Sequence, residues 1–456
     1  MALPADAEAV ASPRRQNRNQ PWRLVALFAV LSCLLLFAWS SLARGEPTQA
    51  GLLLVPVLFA LTAPLLVRLS GAETRFDIAG IMATGLALRF AGSYYRWGHA
   101  FDANVYQRIG AQLAESFRSF QFDVDTGAPV PGTGGLRYVT GLVSIPTGSN
   151  GYANFLVFTW LGFWGCVMLY RAFVTALPDA DHRRYALLIF LWPSLAFWPS
   201  SIGKESWMLF TLGIAMLGAA RVFVRRPGGY SLLTLGLLAG SFVRPHVGLL
   251  ALIAFAIGLF IGRRESVGRG EISPALIGKV VGLAVVVLLG GVLVSRTQQL
   301  LDTTDTSSSS IGSSLDRVNT QTAQGGSEFS AANPSSPLGY PVAAVTILVR
   351  PFPFEAHGSE QLMTTAEGMF LAVLCVASWR RVWGVRKRLR DQPYYATAIV
   401  FALMFFYAFG TVANFGILAR ERVQLMPFVF VLLAAPAVLS KRSKEELPGP
   451  GRATRR

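Results

Sequence analysis

The chain has 456 residues, is 52% hydrophobic and only 14% charged, and carries a formal net charge of +16. Soluble globular domains carry about 25% charged residues, so this composition excludes an ordinary soluble protein and points to an integral membrane protein. The basic residues fall in short clusters at the ends of apolar runs rather than along one face, which excludes nucleic-acid binding and fits membrane topology.

The N-terminal lead PRRQNRNQPWR precedes an apolar stretch with no small-residue cleavage site after it. It reads as a retained first transmembrane helix rather than a signal peptide. A membrane crossing needs about 20 mostly apolar residues. On that rule, spans are predicted near 24–43, 50–68, 77–95, 152–171, 185–200, 206–222, 231–246, 247–262, 280–296, 362–379, 394–413 and 423–440. The expected fold is all-α: a polytopic membrane protein of about twelve helices. The apolar stretches 138–150 and 341–353 are too short or broken to cross, and suit re-entrant or interfacial positions.

Orientation follows from lysine and arginine. With the N-terminus cytoplasmic, the inner segments 1–23, 68–76, 171–184, 221–230, 263–279, 380–393 and the tail from 441 hold 28 of the 41 basic residues. That bias implies a multi-pass protein of the cytoplasmic membrane with both termini on the cytoplasmic side. The runs RRVWGVRKRLR (380–390) and KRSK (441–444) read as topology signals rather than as an anionic-lipid site. The domain plan is a cytoplasmic basic N-terminus (1–23), one membrane domain (24–440) and a basic tail (441–456). Two long loops, about 96–151 and 297–361, face outward; the second is Ser/Gly-rich. No internal repeat of the two-halves kind is visible.

Charges at or near membrane depth are costly and mark functional sites. In WGHAFDANVYQRIG (97–110), Asp102 and Tyr106 are four apart and share a helical face. Asp102 reads either as a general base or as the N-cap of the helix that follows. Arg137 is a further isolated cation. In FWPSSIGKESW (197–207), Lys204 and Glu205 are adjacent, so on a helix they do not face each other; Lys204 is expected toward a lipid phosphate and Glu205 toward a neighbouring arginine. In SFVRPHVGLL (241–250), Arg244 and His246 flank Pro245, where a guanidinium suits bidentate phosphate binding or snorkels to headgroups. VRPFPFEAHG (349–358) supplies Arg350 and Glu355. ILARERVQLMP (417–427) sets Arg420 and Arg422 before the last predicted span. Nearby aromatics (Trp97, Trp192, Trp198, Phe352, Phe354) read as an interfacial belt or as stacking surfaces for sugars.

Cys33, Cys166 and Cys375 all lie inside apolar segments, and the four histidines are scattered, so no metal site and no cofactor is read from them; a divalent metal stays open. No Walker loop, HExxH, CxxC or GxSxG is present.

The FDANVY motif of the first outer loop resembles the first-loop acidic motif of multi-spanning glycosyltransferases of the GT-C class. The order of features, FDANVY, the SIGKE loop, VRPH, then a long loop ending RPFPFEA, is similar to that of bacterial exopolysaccharide and O-antigen polymerases (Wzy- and EpsG-like). The likeness spans most of residues 75–430 and lies in organisation. The chain departs from the acidic pair of the mannosyltransferase subgroup, because Asp102 is followed by alanine. The resemblance implies sugar transfer from a polyprenyl-phosphate- or pyrophosphate-linked donor to a glycan acceptor at the outer face, alongside other envelope-polysaccharide assembly proteins. The residues themselves supply parts for such a reaction: Asp102 first, and Glu205 or Glu355 next, as the base for the acceptor hydroxyl, and Lys204, Arg244, Arg350, Arg420 and Arg422 as stabilisers of charge on the leaving phosphate. The rival expectation is a transporter or flippase of envelope precursors, whose paths are also lined by charges.

Overall fold

The computed structural model describes residues 21–44, 46–73, 75–148, 150–262, 274–301, 308–323 and 327–436. The basic N-terminus to residue 20, the basic loop 263–273 and the basic tail from 437 lie outside the described residues. Among the described residues the fold is all-helical, and the one β-contact is an isolated bridge between Glu328 and Asn414.

The chain opens with α1 (Pro21–Arg44), α2 (Glu46–Ala72) and α3 (Ile78–Trp97). The segment expected as the first outer loop is itself helical, as α4 (Phe101–Arg118) and α5 (Thr133–Ser144). Then come α6 (Gly151–Ala176), α7 (His182–Leu191), α8 (Pro193–Phe197), α9 (Lys204–Phe223), α10 (Gly229–Ser241) and α11 (Pro245–Ile261). After α12 (Pro274–Leu301), the second expected loop carries α13 (Ser308–Thr322) and α14 (Gly339–Val349). The chain continues through α15 (Ser359–Ala377), α16 (Trp379–Val385), α17 (Pro393–Phe409) and α18 (Phe415–Leu433). Among the described residues, five stretches are long and apolar enough to cross a membrane: Leu53–Ala72, Gly151–Ala176, Lys204–Phe223, Gly282–Leu301 and Ser359–Ala377.

Local sequence explains where several helices begin. The side chains of Asp77, Asn150, Asp181 and Asn414 accept hydrogen bonds from first-turn N–H groups of α3, α6, α7 and α18, satisfying donors that the helix itself leaves free. Proline opens α8, α11 and α17, where its missing N–H costs nothing.

The centre of the molecule is the packing of α9 between α6 and α10. A Cβ at Gly165 would lie 2.3 Å from the Leu209 carbonyl oxygen, and one at Gly213 would lie 2.6 Å from that of Gly165. Small residues at such crossings let helices touch backbone to backbone where lipid supplies no hydrophobic drive.

Two sequence expectations are corrected. The single span over 185–200 is broken: α7 ends at Leu191, Trp192 is extended, and Pro193 starts α8. Proline cannot donate to the ladder and disfavours helical geometry in the residue before it. The freed carbonyls are taken by Arg89, fully buried in α3, which donates to Phe190 O (2.7 Å), Ile189 O (3.2 Å) and Gly85 O (2.9 Å). On the other side of the break, the buried Glu367 of α15 accepts from the Ser194 N–H. The last helix, expected at 423–440, starts at Phe415, capped by Asn414. Arg420 and Arg422 therefore lie within it rather than before it.

Candidate functional site

Three helices of different chain regions begin at one place. α4 starts at Phe101, α9 at Lys204, and α11 at Pro245 with Arg244 as its N-cap. A helix N-terminus carries about half a positive charge from its aligned peptide dipoles. Between them, the C-terminal turn of α3 and the first turns of α18 lies a cavity of about 300 Å³, lined by Arg96, Asp102, Tyr106, Lys204, Glu205, Arg244, Arg420 and Glu421 among others. Four cations face three carboxylates there.

The position of α4 is fixed by a buried amide. Asn154 of α6 donates to Gln107 Oε1 at 2.6 Å and to Ser144 Oγ at 2.7 Å, joining α4, α5 and α6. This sets Tyr106, the neighbour of Gln107, on the cavity wall. The SIGKE turn is folded onto α9 by Ser206 Oγ, which donates to Ser201 O (3.1 Å) and Gly203 O (2.8 Å).

The charges inside the cavity are not equivalent. Arg244 hydrogen-bonds Glu421, and its Nη2 lies 3.7 Å from Glu205 Oε1. Gln424, one turn along α18, donates to the same Glu421 oxygen at 2.9 Å. These three charged side chains are largely shielded, at 9%, 12% and 11% exposure for Arg244, Glu205 and Glu421. At the rim, Arg420 Nη1 lies 3.2 Å from Asp102 Oδ2, and its guanidinium covers the Trp198 ring at 5.2 Å. That pair is open to solvent, with Asp102 61% exposed. Asp102 does not cap α4, whose N-cap is Ala100; it lies in the first turn.

Two cations of the cavity form no ion pair with a carboxylate among the described residues. Arg96 donates its Nε to Ser201 Oγ at 3.1 Å and is held between the Phe197 and Trp198 rings, each 5.1 Å away. Its two Nη groups make no hydrogen bond with the described residues. Lys204 makes neither a hydrogen bond nor an ion pair among them. With the N-terminus of α9, these two cations make up the part of the cavity wall that suits an anion.

Of the residues expected from sequence, Asp102, Tyr106, Lys204, Glu205, Arg244 and Arg420 converge here. The others do not. Arg350 and Glu355 hydrogen-bond each other, Phe352 N–H adds a 2.8 Å bond to Glu355, and the Arg350 guanidinium lies 4.4 Å from the Phe329 ring; they lock the VRPFPFE turn. Arg422 points away from Arg420 and donates to Leu348 O at 3.0 Å, tying α18 to the end of α14. Arg137 holds its own approach loop through Thr126 O and Gly127 O, at 3.0 and 2.7 Å. His246 packs on the Phe409 ring at 5.8 Å and is not among the lining residues. Glu421 and Arg96, central to the site, were missed from sequence. The signal for Glu421 was its polar neighbour Gln424 three residues on in an apolar helix; that for Arg96 was its place at the end of a predicted span, beside FDANVY.

No family model, curated protein or solved structure matches this chain. The functional reading rests on the cavity and its charges.

Proposed function

We propose that the chain is a glycosyltransferase or polysaccharide polymerase of the cytoplasmic membrane. It would have about twelve crossings and both termini cytoplasmic, and would act at the outer face on a polyprenyl-phosphate- or pyrophosphate-linked sugar, as the GT-C and O-antigen polymerase resemblance implies. The observation that carries this reading is the cavity itself: two unpaired cations and a helix N-terminus beside shielded carboxylates. A transferring phosphate needs stabilisation of the charge it gains on leaving, and an acceptor hydroxyl needs a base.

In this reading the acceptor oxygen bonds to the anomeric carbon as the bond from that carbon to the phosphate oxygen breaks. Glu205 takes the hydroxyl proton. The electron pair leaves on the lipid phosphate, where Lys204 and Arg96 stabilise it. Glu205 is preferred to Asp102 because Asp102 is exposed and engaged by Arg420 at the rim, whereas Glu205 is inside and only loosely approached by Arg244. Arg244 and Glu421 position that carboxylate. Glu355 has no part in the chemistry because it lies outside the cavity, bound to Arg350.

The test is chain extension by the purified protein in vesicles supplied with polyprenyl-pyrophosphate oligosaccharide. Glu205→Gln and Lys204→Ala are expected to lower the rate about 10²-fold or more, the scale of losing a general base or one charge-stabilising donor. Movement of the intact lipid-linked precursor across the bilayer without any new glycosidic bond would instead favour the transporter reading.

A further inference from the structure

The run RRVWGVRKRLR takes on a second meaning once its side chains are placed. α16 follows α15 with only Ser378 between them, and α15 ends one of the stretches long enough to cross a membrane. α16 therefore starts where that crossing stops. It is anchored on one side: Val385 is buried, Arg381 donates to Ala435 O at 2.8 Å and lies 3.2 Å from Asp181 Oδ2, and Arg184 donates to Ser378 Oγ at 2.5 Å. Those contacts fix α16 against the start of α7 and the far end of α18. The cavity lies toward the opposite end of α18, about 20 Å away at 1.5 Å per residue, so α16 belongs to the other membrane surface.

Its outward side is not that of an ordinary solvated loop. Trp379 and Trp383 are each 59% exposed, and Val382 lies between them on the same side. They continue the exposed apolar stripe of α15 formed by Phe370, Val373 and Val376. Arg386 lies over the Trp383 ring at 4.0 Å and Arg380 over the Trp379 ring at 5.7 Å. A guanidinium stacked this way keeps its N–H edge free for a phosphate. Arg380, Arg386, Lys387 and Arg390 are exposed and make no hydrogen bond or ion pair with the described residues. Indole rings settle at the headgroup level, and a basic cluster at the end of a span attracts anionic lipid.

We propose that α16 and the turn after it form a binding site for anionic phospholipid. The two tryptophans enter the interface, and Arg380, Arg386 and Lys387 hold the phosphodiester. The site is separate from the cavity and stands whether or not the chain transfers sugar. Topology asks for positive charge and for interfacial indoles at this surface; it does not ask for an arginine over each of the two rings.

The experiment measures lipid binding to the full-length protein in nanodiscs and its melting temperature in detergent. Phosphatidylglycerol is compared with phosphatidylcholine and with inorganic phosphate. Wild type is expected to bind and be stabilised by phosphatidylglycerol selectively. The triple variant Arg380→Gln, Arg386→Gln, Lys387→Gln should weaken that binding by on the order of 100-fold at low salt, from the usual attraction of three basic residues. Trp379→Ala with Trp383→Ala should weaken it while leaving the charge intact. Equal binding of the two lipids, an unchanged triple variant, or equal stabilisation by inorganic phosphate would overturn the proposal. So would an equal loss in the control Arg226→Gln, an exposed arginine near the far end of α9, because it would reduce the effect to diffuse charge.

Discussion

Within the cavity, Arg244 is the side chain on which the other charges depend. It is shared by two shielded carboxylates, Glu205 and Glu421, that come from helices far apart in sequence. Removing one partner of a buried ion pair leaves the other uncompensated, at a cost of about 3–5 kcal/mol. Arg244→Ala is therefore expected to lower the melting temperature far more than Lys204→Ala, since Lys204 has no partner to strand. Equal melting of the two variants would show that the pairing is not stabilising. Outside the cavity, Glu355 offers a pH test. Burial alone would raise its pKa, but the hydrogen bonds from Arg350 and Phe352 N–H and the Arg350 charge outweigh this and hold it below the ordinary 4.5. A carboxylate depressed in the fold contributes stability above its unfolded pKa and loses it as pH falls through the folded value. Melting temperature should thus fall as pH drops below 4.5, and Glu355→Gln should remove that part of the fall while already being less stable at neutral pH.

At the scale of elements, the site depends on helix ends delivered to one point by close packing. α9 holds Lys204 and Glu205 at its start, and Gly213 seats its middle against Gly165 of α6. Gly213→Leu would force the two helices apart, and overpacking costs about 1–3 kcal/mol or more; the expected result is a lower yield of folded protein and a loss of transfer, read by gel filtration and by the extension assay. Much of this arrangement was legible beforehand. Lys204, Glu205 and Arg244 stand at the ends of apolar runs beside Gly203 or Pro245, and Asp102 follows the apolar run that ends at Trp97; a charge at such a boundary has few places to go but the helix end. Glu421 was not legible for a geometric reason. Arg420, Glu421 and Arg422 are consecutive, so the 100° step of a helix sends them to the rim, to Arg244 and to α14 respectively. In the linear sequence ARER reads as a cationic pair, and only the early start of α18 at Phe415 reveals three separate roles. Arg350 misled in the opposite way: its Pro-Phe-Pro context resembled that of Arg244, but its partner Glu355 lies five residues away, and the pair closes on itself.

For the whole molecule, the distribution of charge divides the protein into two surfaces. The start of α9 and the first turns of α18 meet at the cavity, where cations and carboxylates are interlocked. The far end of α18 meets α16, where cations stand beside exposed tryptophans. Helices long and apolar enough to cross a membrane, such as α6 and α9, join the two sides. Among the described residues, Arg380, Arg386 and Lys387 stand exposed around α16, while Arg96, Lys204, Arg244 and Arg420 gather at the cavity. The most direct test of that site is an electron cryomicroscopy structure of the protein in nanodiscs with a polyprenyl phosphate. The account predicts phosphate density within hydrogen-bonding distance of Lys204 and Arg96, at the N-terminus of α9, with the lipid chain leaving between helices. A cavity left empty under saturating lipid phosphate, or phosphate held elsewhere with Lys204 and Arg96 uninvolved, would contradict it.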